Sequence, residues 1–521
     1  MSGGQNEKAA VEMRGCSALV FLCILLVLVV HTGLAKTLEV PAQFSTIQAA
    51  IAVASSGDTI HIASGTYYET LHISKSITVK STAVVVNGRV PKERLIATIR
   101  ISNTSDVHIR GITVTNGYMG ISIEDSANVA LSNVVVSANE SSGIIVRDSS
   151  VTMTGCEIAS NGLIGLAARD ASFVTVVNST ISRNAFAGVY VCRSNADLND
   201  SSIEHTELFF GEGGDGIRVR NESIVTVERS KISDNIGQGI SCMFHSTLSL
   251  IESSISHNQI GIDLGWAEAN IQDCVISNNH GGIFVKSFCS AAIEGNTIHG
   301  NAIGGIGVDA SSPLIVNNDI MQNDDTGIYL YNGSQAAVRR NEIYDNGAAG
   351  IEVDDSGPII ENNVIRDNRR SGVNFREDSR GTAIYNEIYG NESRGITVQD
   401  GSTPLILNNT ILWNDSTGIW VYGGAEPVLK NNIVVLNKSY GIDTVGYEHG
   451  SDGEPNVSFN VIWRNEEGDY SGLRKPYTDI SRDPRFVDLN GTNFRLLPTS
   501  PCIAAGEGGA DIGAHPFEEG T

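Results

Sequence analysis

Residues 350–371 read GIEVDDSGPIIENNVIRDNRRS, and residues 372–394 repeat the pattern as GVNFREDSRGTAIYNEIYGNESR. Each unit opens with Gly, continues with alternating aliphatic and polar residues, and closes on Asn-x-Ile-x-x-Asn. The opening Gly recurs every 21 to 23 residues, with one interval of 28, at positions 120, 143, 165, 188, 216, 239, 261, 282, 305, 327, 350, 372, 395, 418 and 441. A near-constant period over fifteen units predicts a solenoid in which each unit is one coil.

The spacing of apolar residues within a unit is that of β-strands. Ile351 and Val353 alternate with Glu352 and Asp354, so aliphatic and acidic side chains face opposite sides. Two more aliphatic stretches flank the first closing Asn, so each unit holds three short strands. Three-strand coils of 22 to 23 residues predict an all-β fold, a right-handed parallel β-helix. Neighbouring coils of such a fold lie about 4.8 Å apart.

Two columns of Asn recur at the bends between these strands. Asn tolerates the left-handed backbone that a sharp bend needs, and its amide can bond the same amide one coil away. The sequence therefore predicts asparagine ladders with a structural role. The first column holds Asn296, Asn318, Asn341, Asn363, Asn386, Asn409, Asn432 and Asn460, and the second runs from Asn139 through Asn161, Asn184, Asn235, Asn258, Asn279 and Asn301 to Asn465.

The repeat organises most of the 521 residues into one elongated domain. The apolar run 18–30 and the small residues at 33–35 are typical of a cleaved signal peptide, with an uncleaved anchor as the alternative. Ser45 and Gln48 resemble a capping box that opens a short amphipathic helix. The expected division is a signal peptide at 1–35, an N-terminal cap with this helix at 36–57, β-helix repeats at 58–465, and a closing segment at 466–521.

Composition limits the partners of this chain. A net charge of −24 argues against nucleic acid or an anionic membrane surface. We expect a monomer that is secreted, periplasmic or at the cell surface, without stable membrane insertion after signal cleavage. Cys156 and Cys274 share a column but lie five coils apart, too far to form a disulfide, so we expect free, packed thiols.

The two ends of the mature chain resemble a known family. Residues 46–69 contain TIQAAI, GDTI and GTYYE, and residues 483–517 contain DPRFVD, SPCIAAG and DIGAHPF. These strings resemble the start and the end of secreted proteins of the pectin-lyase-like, right-handed parallel β-helix superfamily. The resemblance implies the fold and secretion. It does not fix an activity, because the superfamily includes polysaccharide lyases, hydrolases, epimerases and adhesins.

The strand that follows each opening Gly, here called the glycine-led strand, is the expected functional column. Insertions at 206–216 and 447–455 flank it, and such loops often lie over a binding face. Outward aromatic rings beside carboxylates and Arg suit sugar binding, because a ring offers a flat apolar face to a pyranose. Ordinary stacking between strands is the structural alternative. The predicted carbohydrate-binding residues are Arg218, Arg220, Phe284, Tyr329, Tyr331, Glu352, Trp420 and Tyr422.

Lyases of this superfamily use an Arg or Lys base with Ca²⁺-binding acids. The resemblance therefore implies Lys286 or Arg376 as the base, and Asp309, Asp354 and Asp355 as calcium ligands, with a solvated charged face as the alternative.

The sequence leaves three functions open. The first is binding or processing of extracellular polysaccharide, with a lyase as the enzymatic form. The second is a non-catalytic adhesion or structural role. The third is a periplasmic copper-site accessory protein using soft ligands such as Met243, although Cys242 is expected to point inward.

Overall fold

The computed structural model describes residues 35–89, 96–445 and 454–517. The chain forms a right-handed parallel β-helix of about 17 turns, which confirms the predicted fold. Successive coils add strands in register to three parallel sheets. The proposed signal peptide and the insertion around 447–455 fall almost entirely outside the described residues.

The three sheets are named in the order in which a coil meets them. The glycine-led sheet comprises Leu71–Ile73, Ala97–Ser102, Met119–Glu124, Ile144–Arg147, Ile164–Arg169, Ala187–Cys192, Asp215–Arg220, Gln238–Met243, Ile260–Gly265, Gly281–Lys286, Ile306–Asp309, Ile328–Tyr331, Ile351–Asp354, Val373–Arg376, Ile396–Val398, Ile419–Val421, Tyr440–Asp443 and Gly468–Ser471. The second sheet comprises Thr37–Val40, Thr59–Ile62, Val129–Ser132, Ser150–Thr154, Phe173–Val177, Asn195–Asn199, Ile224–Glu228, Thr247–Ile251, Glu268–Gln272, Ser290–Glu294, Leu314–Val316, Ala337–Arg339, Ile359–Glu361, Thr382–Ile384, Leu405–Leu407, Val428–Lys430 and Asn456–Ser458.

The third sheet completes each coil. It comprises Gly65–Tyr67, Val135–Ser137, Glu157–Ala159, Thr180–Ser182, Ser202–Glu204, Lys231–Ser233, Ser254–Ser256, Val275–Ser277, Thr297–His299, Asp319–Met321, Glu342–Tyr344, Val364–Arg366, Glu387–Tyr389, Thr410–Leu412, Ile433–Val435 and Val461–Trp463. Two longer strands, Thr78–Asn87 and His108–Thr115, run through both the second and the third sheet.

One continuous apolar column fills the interior of the solenoid. Ile351, Val353, Ile360 and Ile365 are completely buried in it, as the two-residue period predicts. Inward side chains of one coil therefore pack on those of the next, and each coil depends on its neighbours for burial.

Close packing explains the Gly that opens each unit. A Cβ on Gly350 would lie 2.5 Å from Ile365 Cγ2, 2.8 Å from the oxygen of Gly372 and 2.9 Å from Asn368 Nδ2. The same kinds of atoms crowd the other opening glycines, for instance Gly143. These distances are too short for any side chain, so the position is restricted to Gly.

The asparagine ladders are confirmed. Asn363 Nδ2 donates to Asn386 Oδ1 at 3.0 Å and to the Val338 oxygen at 2.9 Å, while Asn363 Oδ1 accepts from Asn341 Nδ2 at 3.0 Å. The left-handed residue, however, is the one before each ladder Asn, such as Asn362 with φ 55°. The expectation that the ladder Asn itself is left-handed was wrong, because the preceding residue turns the chain and directs the ladder side chain inward.

Serine columns extend the ladders and were not predicted. At the bend after the glycine-led strand, the Ser334 N–H donates to Ser356 Oγ at 3.0 Å, and the Ser379 N–H donates to Ser402 Oγ at 3.1 Å. In another column a cysteine replaces the serine, and Cys274 Sγ accepts from the Ser253 N–H at 3.5 Å. All six cysteines of the described residues are free and buried.

The helix Ile47–Val53 covers the first coil with Ile47, Ala50 and Ile51 buried against the core. Its N-cap is Thr46, whose Oγ1 accepts from the Ala49 N–H at 3.1 Å. The predicted capping box at Ser45 was therefore wrong. A residue distant in sequence caps two more N–H groups of the first turn. The Glu69 carboxylate accepts from the N–H groups of residues 47 and 48 at 2.9 and 3.0 Å.

The C-terminal segment folds back along the outer face of the third sheet. It contains the antiparallel pair Phe486–Asp488 and Asn493–Leu496 and the 3₁₀ turn Glu507–Gly509. Phe494 packs edge-on against Tyr389, with ring centroids 5.3 Å apart. Near the end of the segment, the N–H of residue 514 donates to the hydroxyl of residue 410 at 3.0 Å. The segment thus covers several coils from the side.

Among the described residues, no helix has both the length and the apolar character required to cross a bilayer.

Candidate functional site

The outward positions of the glycine-led sheet form a straight column across coils. In register, Tyr329 pairs with Glu352, Glu352 with Asn374, Asn374 with Thr397, and Thr397 with Trp420. The residues selected from the sequence in this region therefore share one face of the solenoid.

A groove of about 400 Å³ lies on this face, and we call it the arginine groove. Strand residues and the bends before Gly372 and Gly395 together form its walls. The lining residues are Ala349, Glu352, Arg370, Ser371, Asn374, Arg376, Ser393, Arg394, Thr397, Gln399, Trp420 and Tyr422. Three guanidinium groups and one carboxylate line the groove, in a chain whose net charge is −24.

Arg376 joins two carboxylates of the neighbouring strand. Its Nε lies 3.0 Å from Glu352 Oε1, and its Nη2 lies 2.9 Å from Asp354 Oδ2. The Glu352 contact is an ion pair without hydrogen-bond alignment, since Nε has no acceptor in line. Tyr329 completes the cluster, because its hydroxyl donates to Asp354 Oδ2 at 2.9 Å and accepts from Arg376 Nη2 at 3.1 Å.

The charges in this cluster shift the protonation equilibria. Burial works against the charge of Arg376, yet Glu352, Tyr329 and Asp354 outweigh it and raise the pKa of Arg376. Burial raises the pKa of Glu352, partly opposed by Arg376. A raised pKa keeps the guanidinium protonated, so this environment does not favour Arg376 as a base.

Trp420 is only 5% exposed, which differs from the expected open sugar platform. The Arg394 guanidinium lies 3.9 Å from its ring centroid, and Tyr422 stacks on it with centroids 3.9 Å apart. Its indole Nε1 donates to the Val445 oxygen at 3.1 Å. Trp420 therefore supports the groove wall, and Tyr422 and Arg394 are the neighbours that line the groove with it.

Tyr331 and Phe284 lie outside the groove on the same sheet. Tyr331 stacks on Tyr329 with centroids 4.9 Å apart, so these two rings support each other. The ring of Phe284 lies over Gly307, where an added Cβ would be 2.9 Å from Phe284 Cδ1.

The other candidate base is Lys286, and its Nζ lies 2.6 Å from Asp263 Oδ1. The register places Lys286 four coils before Arg376, roughly 19 Å away at the usual coil spacing. The two candidate bases therefore belong to separate clusters.

The three predicted calcium ligands have other partners or positions. Asp309 accepts from Asn332 Nδ2 at 2.8 Å, Asp354 is paired with Arg376, and Asp355 forms a left-handed bend with φ 43°. Nowhere in 35–89, 96–445 or 454–517 do three His, Cys, Asp or Glu side chains converge as a metal site. The residues present do not fit a calcium ion at this position.

Arg218 and Arg220 lie in an earlier coil, away from the groove. Arg218 Nε donates to Asp215 Oδ2 at 2.6 Å, and Arg220 donates to the oxygen and the hydroxyl of Ser241, both at 3.0 Å. Burial lowers the pKa of Arg220. The nearby insertion forms a small hairpin of Leu208–Phe209 and Glu212–Gly213.

The soft ligands considered for copper differ in burial, since Cys242 lies in the core and Met243 is half-buried at the strand end. Cys242 is completely buried in the core, and burial raises its pKa to about 12. A thiol held in its protonated form is a poor metal ligand.

Sequence reasoning did not select Arg370 and Arg394 as site residues. Both stand one or two residues before an opening Gly, on the bend that forms one wall of the groove. A basic residue at this bend in two successive units was the available signal.

The profile of the right-handed beta helix region family matches residues 97–253, 208–320, 246–359 and 305–462, which together span more than half of the chain. The chain belongs to the right-handed β-helix family. No curated protein sequence matches this β-helix protein.

Several solved β-helix structures are similar to it in fold. A single-residue mutant of the periplasmic alginate epimerase AlgG is 14% identical with a TM-score of 0.36, and the match covers 65% of this chain and 78% of the AlgG chain. The alginate lyase from Paenibacillus sp. str. FPU-7 is 14% identical with a TM-score of 0.33, and the match covers 53% of this chain and 97% of the lyase chain. PfbA, a surface adhesin of Streptococcus pneumoniae, is 12% identical with a TM-score of 0.38, and the match covers 59% of this chain and 87% of the PfbA chain.

Proposed function

We propose that the arginine groove binds an acidic extracellular polysaccharide through the carboxylates of its sugar units. The concentration of three guanidinium groups in one groove of a strongly acidic chain is the observation that carries this proposal. A guanidinium offers two parallel N–H donors that match a carboxylate, and such charge-assisted bonds are about twice as strong as neutral ones.

The neutral side chains of the groove suit sugar hydroxyls. Gln399 Nε2 donates to Asn374 Oδ1 at 3.3 Å, and the hydroxyls of Ser371 and Thr397 lie 2.8 Å apart. These bonds hold donors and acceptors in place before a ligand arrives, which lowers the entropy that binding must lose.

We favour binding without cleavage. Both candidate bases, Lys286 and Arg376, are held in ion pairs with carboxylates. A lyase needs a base that can take a proton from the sugar, and an ion pair stabilises the protonated form. We also propose that the protein acts outside the cytoplasm, as a monomer, after removal of residues 1–35.

Arg370 is the best residue for a test. Its side chain is exposed, and it makes no ion pair with any described residue, so its loss should not unfold the chain. Arg369, its neighbour, is also exposed but does not line the groove and serves as the matched control.

Binding of polygalacturonate, alginate and neutral dextran is measured by calorimetry at low and high salt. Arg370→Ala should weaken binding to an acidic polymer roughly tenfold, the value of one charge-assisted contact, and Arg369→Ala should not. The wild type should bind dextran weakly, and salt should weaken the acidic complex. Equal losses in both variants would contradict the proposal. Ultraviolet absorbance from unsaturated products in the same mixtures would instead identify a lyase.

A further inference from the structure

Three exposed aromatic residues stand at one bend in three successive coils. Phe244 and Trp266 follow directly on the glycine-led strands that end at residues 243 and 265, and Phe288 comes two residues after the strand that ends at residue 286. They are 44%, 49% and 82% exposed, in a chain with only 6% aromatic residues. We call them the aromatic strip. They lie beyond the strand ends, at the opposite edge of the sheet from the bends that carry Arg370 and Arg394.

The backbone at this strip is unfavourable for aromatic residues. Phe244, Trp266 and Phe288 have φ values of 59°, 48° and 62°. A left-handed backbone is uncommon for bulky side chains and is tolerated best by Asn and Asp. In other coils Asp148 and Asn332 occupy this bend, with φ values of 45° and 55°. Aromatic residues are thus placed where the fold itself favours small polar ones, a pattern typical of functional positions.

Two of the three rings stack on each other. Phe244 and Trp266 are nearly parallel, with an interplanar angle of 18° and centroids 6.1 Å apart. The Arg220 guanidinium lies 5.9 Å from the Phe244 centroid and holds that end of the strip. The strip therefore presents exposed aromatic side chains on three successive coils, which lie about 4.8 Å apart along the axis.

The size of the strip decides between possible occupants. A fully buried aromatic side chain covers roughly 150–250 Å², so the exposed fractions here offer roughly 350 Å². A stable protein interface needs about 800 Å² per partner. Two copies that each carry a net charge of −24 would also repel each other. A narrow, repeating apolar strip fits a polymer that presents one flat apolar face per unit, and a chain of pyranose rings has this form.

We propose that the aromatic strip is a second polysaccharide-contact surface, which stacks against pyranose rings independently of their charge. Its link to the arginine groove rests on the proposed function. The strip and the groove are separated by about four coils, roughly 19 Å from the coil of Trp266 to that of Glu352. A long chain can reach both surfaces, and a short oligosaccharide can reach only one.

Asn substitutions separate binding from stability. Trp266→Asn and Phe288→Asn place a residue that suits the left-handed backbone, so both variants should unfold at or above the wild-type temperature. Phe173→Asn is the control, because Phe173 is 45% exposed on the second sheet, away from the strip. The ligands are long polygalacturonate, trigalacturonate and a neutral β-glucan, and binding is followed by calorimetry.

The strip variants should lose roughly threefold to tenfold in affinity for long polygalacturonate, with trigalacturonate binding unchanged and Phe173→Asn without effect.

Unchanged affinity for long chains in both strip variants, while Arg370→Ala still weakens binding, would overturn the strip and leave the groove intact. If the wild type binds no acidic polymer, the proposed function fails, and β-glucan binding that requires Trp266 would still support the strip. A sedimentation shift from dimer to monomer in Trp266→Asn would identify an interface between copies and overturn the proposal.

Discussion

At the scale of single residues, two positions in each coil are set by contacts between coils. The opening Gly leaves room for the backbone oxygen and the ladder amide of the next coil. The ladder Asn accepts from the backbone N–H of the equivalent Asn one coil earlier and donates to a buried backbone oxygen. Both requirements come from the neighbouring coil, so substitution at either position should disturb the stack.

Gly350→Ala should destabilise the chain by about 1 to 3 kcal/mol, because its Cβ would overlap Ile365 and the Gly372 oxygen. Gly265→Ala is the control, since its Cβ would meet only the Met243 side chain, with Cγ at 3.6 Å and Sδ at 3.9 Å. Urea denaturation followed by circular dichroism measures both. A similar urea midpoint for the two variants would show that contact with the neighbouring atoms does not explain why Gly occupies position 350.

Asn363→Ala should cost about 2 to 4 kcal/mol, because it removes the buried hydrogen bonds from Asn363 Nδ2 to the Val338 oxygen and from the Asn341 backbone N–H to Asn363 Oδ1. Asn362→Gly, one residue earlier, should be nearly neutral, since Asn362 is exposed and left-handed. Thermal unfolding of the pair tests the ladder. A larger loss at Asn362 would assign the stabilisation to the bend.

Glu352 should make binding of an acidic polymer pH-dependent. Burial raises its pKa, and Arg376, Arg370, Asp325 and Asp354 are the charged groups that act on it. As pH falls through this raised pKa, the carboxylate is neutralised and the groove gains net positive charge. Affinity for polygalacturonate should therefore rise as pH falls. Glu352→Gln should remove the change, and a pH profile identical to that of the wild type would contradict this assignment.

At the scale of elements, the segment after residue 477 acts as a lateral cover. Phe494 is 1% exposed and contacts Trp413 and Phe486 with ring centroids 5.7 and 5.6 Å apart. The Lys430–Glu507 ion pair, at 2.9 Å, holds the segment at the solvent side. The outward face of the third sheet is apolar under this cover, since Leu412 and other residues pack against Phe494 and its neighbours.

Phe494→Ala should cost about 3 to 5 kcal/mol of local stability and release the segment from the third sheet. Limited proteolysis should then cut within residues 478–517 while the coils remain folded. Phe210→Ala is the control, because Phe210 is 93% exposed at a hairpin tip. Uniform unfolding of the Phe494 variant, without early cleavage of the segment, would show that cover and coils form one cooperative unit.

At the scale of the whole molecule, stability is a sum over neighbouring coils. Deletion of residues 350–371 removes one complete unit, so that the coil of Gly372 follows the coil of Gly327 and the ladder residues stay in register. The shortened chain should fold, with the circular dichroism of the parent and a length reduced by about 4.8 Å in solution scattering.

Deletion of residues 350–360 alone is the matched control. It removes one glycine-led strand and part of the second sheet, so the ladder of the next coil loses its register. We expect this variant to aggregate or to unfold. Normal folding of the half-unit deletion, or failure of the full-unit deletion, would contradict a coil-by-coil solenoid.

The sequence by itself determined the coil, the inward residues, the ladders and which outward residues share one face of the glycine-led sheet, because these positions recur from unit to unit. A pattern repeated fifteen times averages out local exceptions. It placed Tyr329, Glu352 and Trp420 on one side correctly. It could not decide what a single, non-repeating residue touches.

The tertiary structure alone decided the groove. Arg370 and Arg394 lie on bends, and only the winding of the chain brings them over the strand residues. Trp420 is covered by Arg394, and Arg376 is paired with Glu352 and Asp354, in each case across neighbouring coils, which no periodicity predicts. Repeated positions follow from the period of the chain, whereas a site made of unique side chains depends on which coils happen to be neighbours.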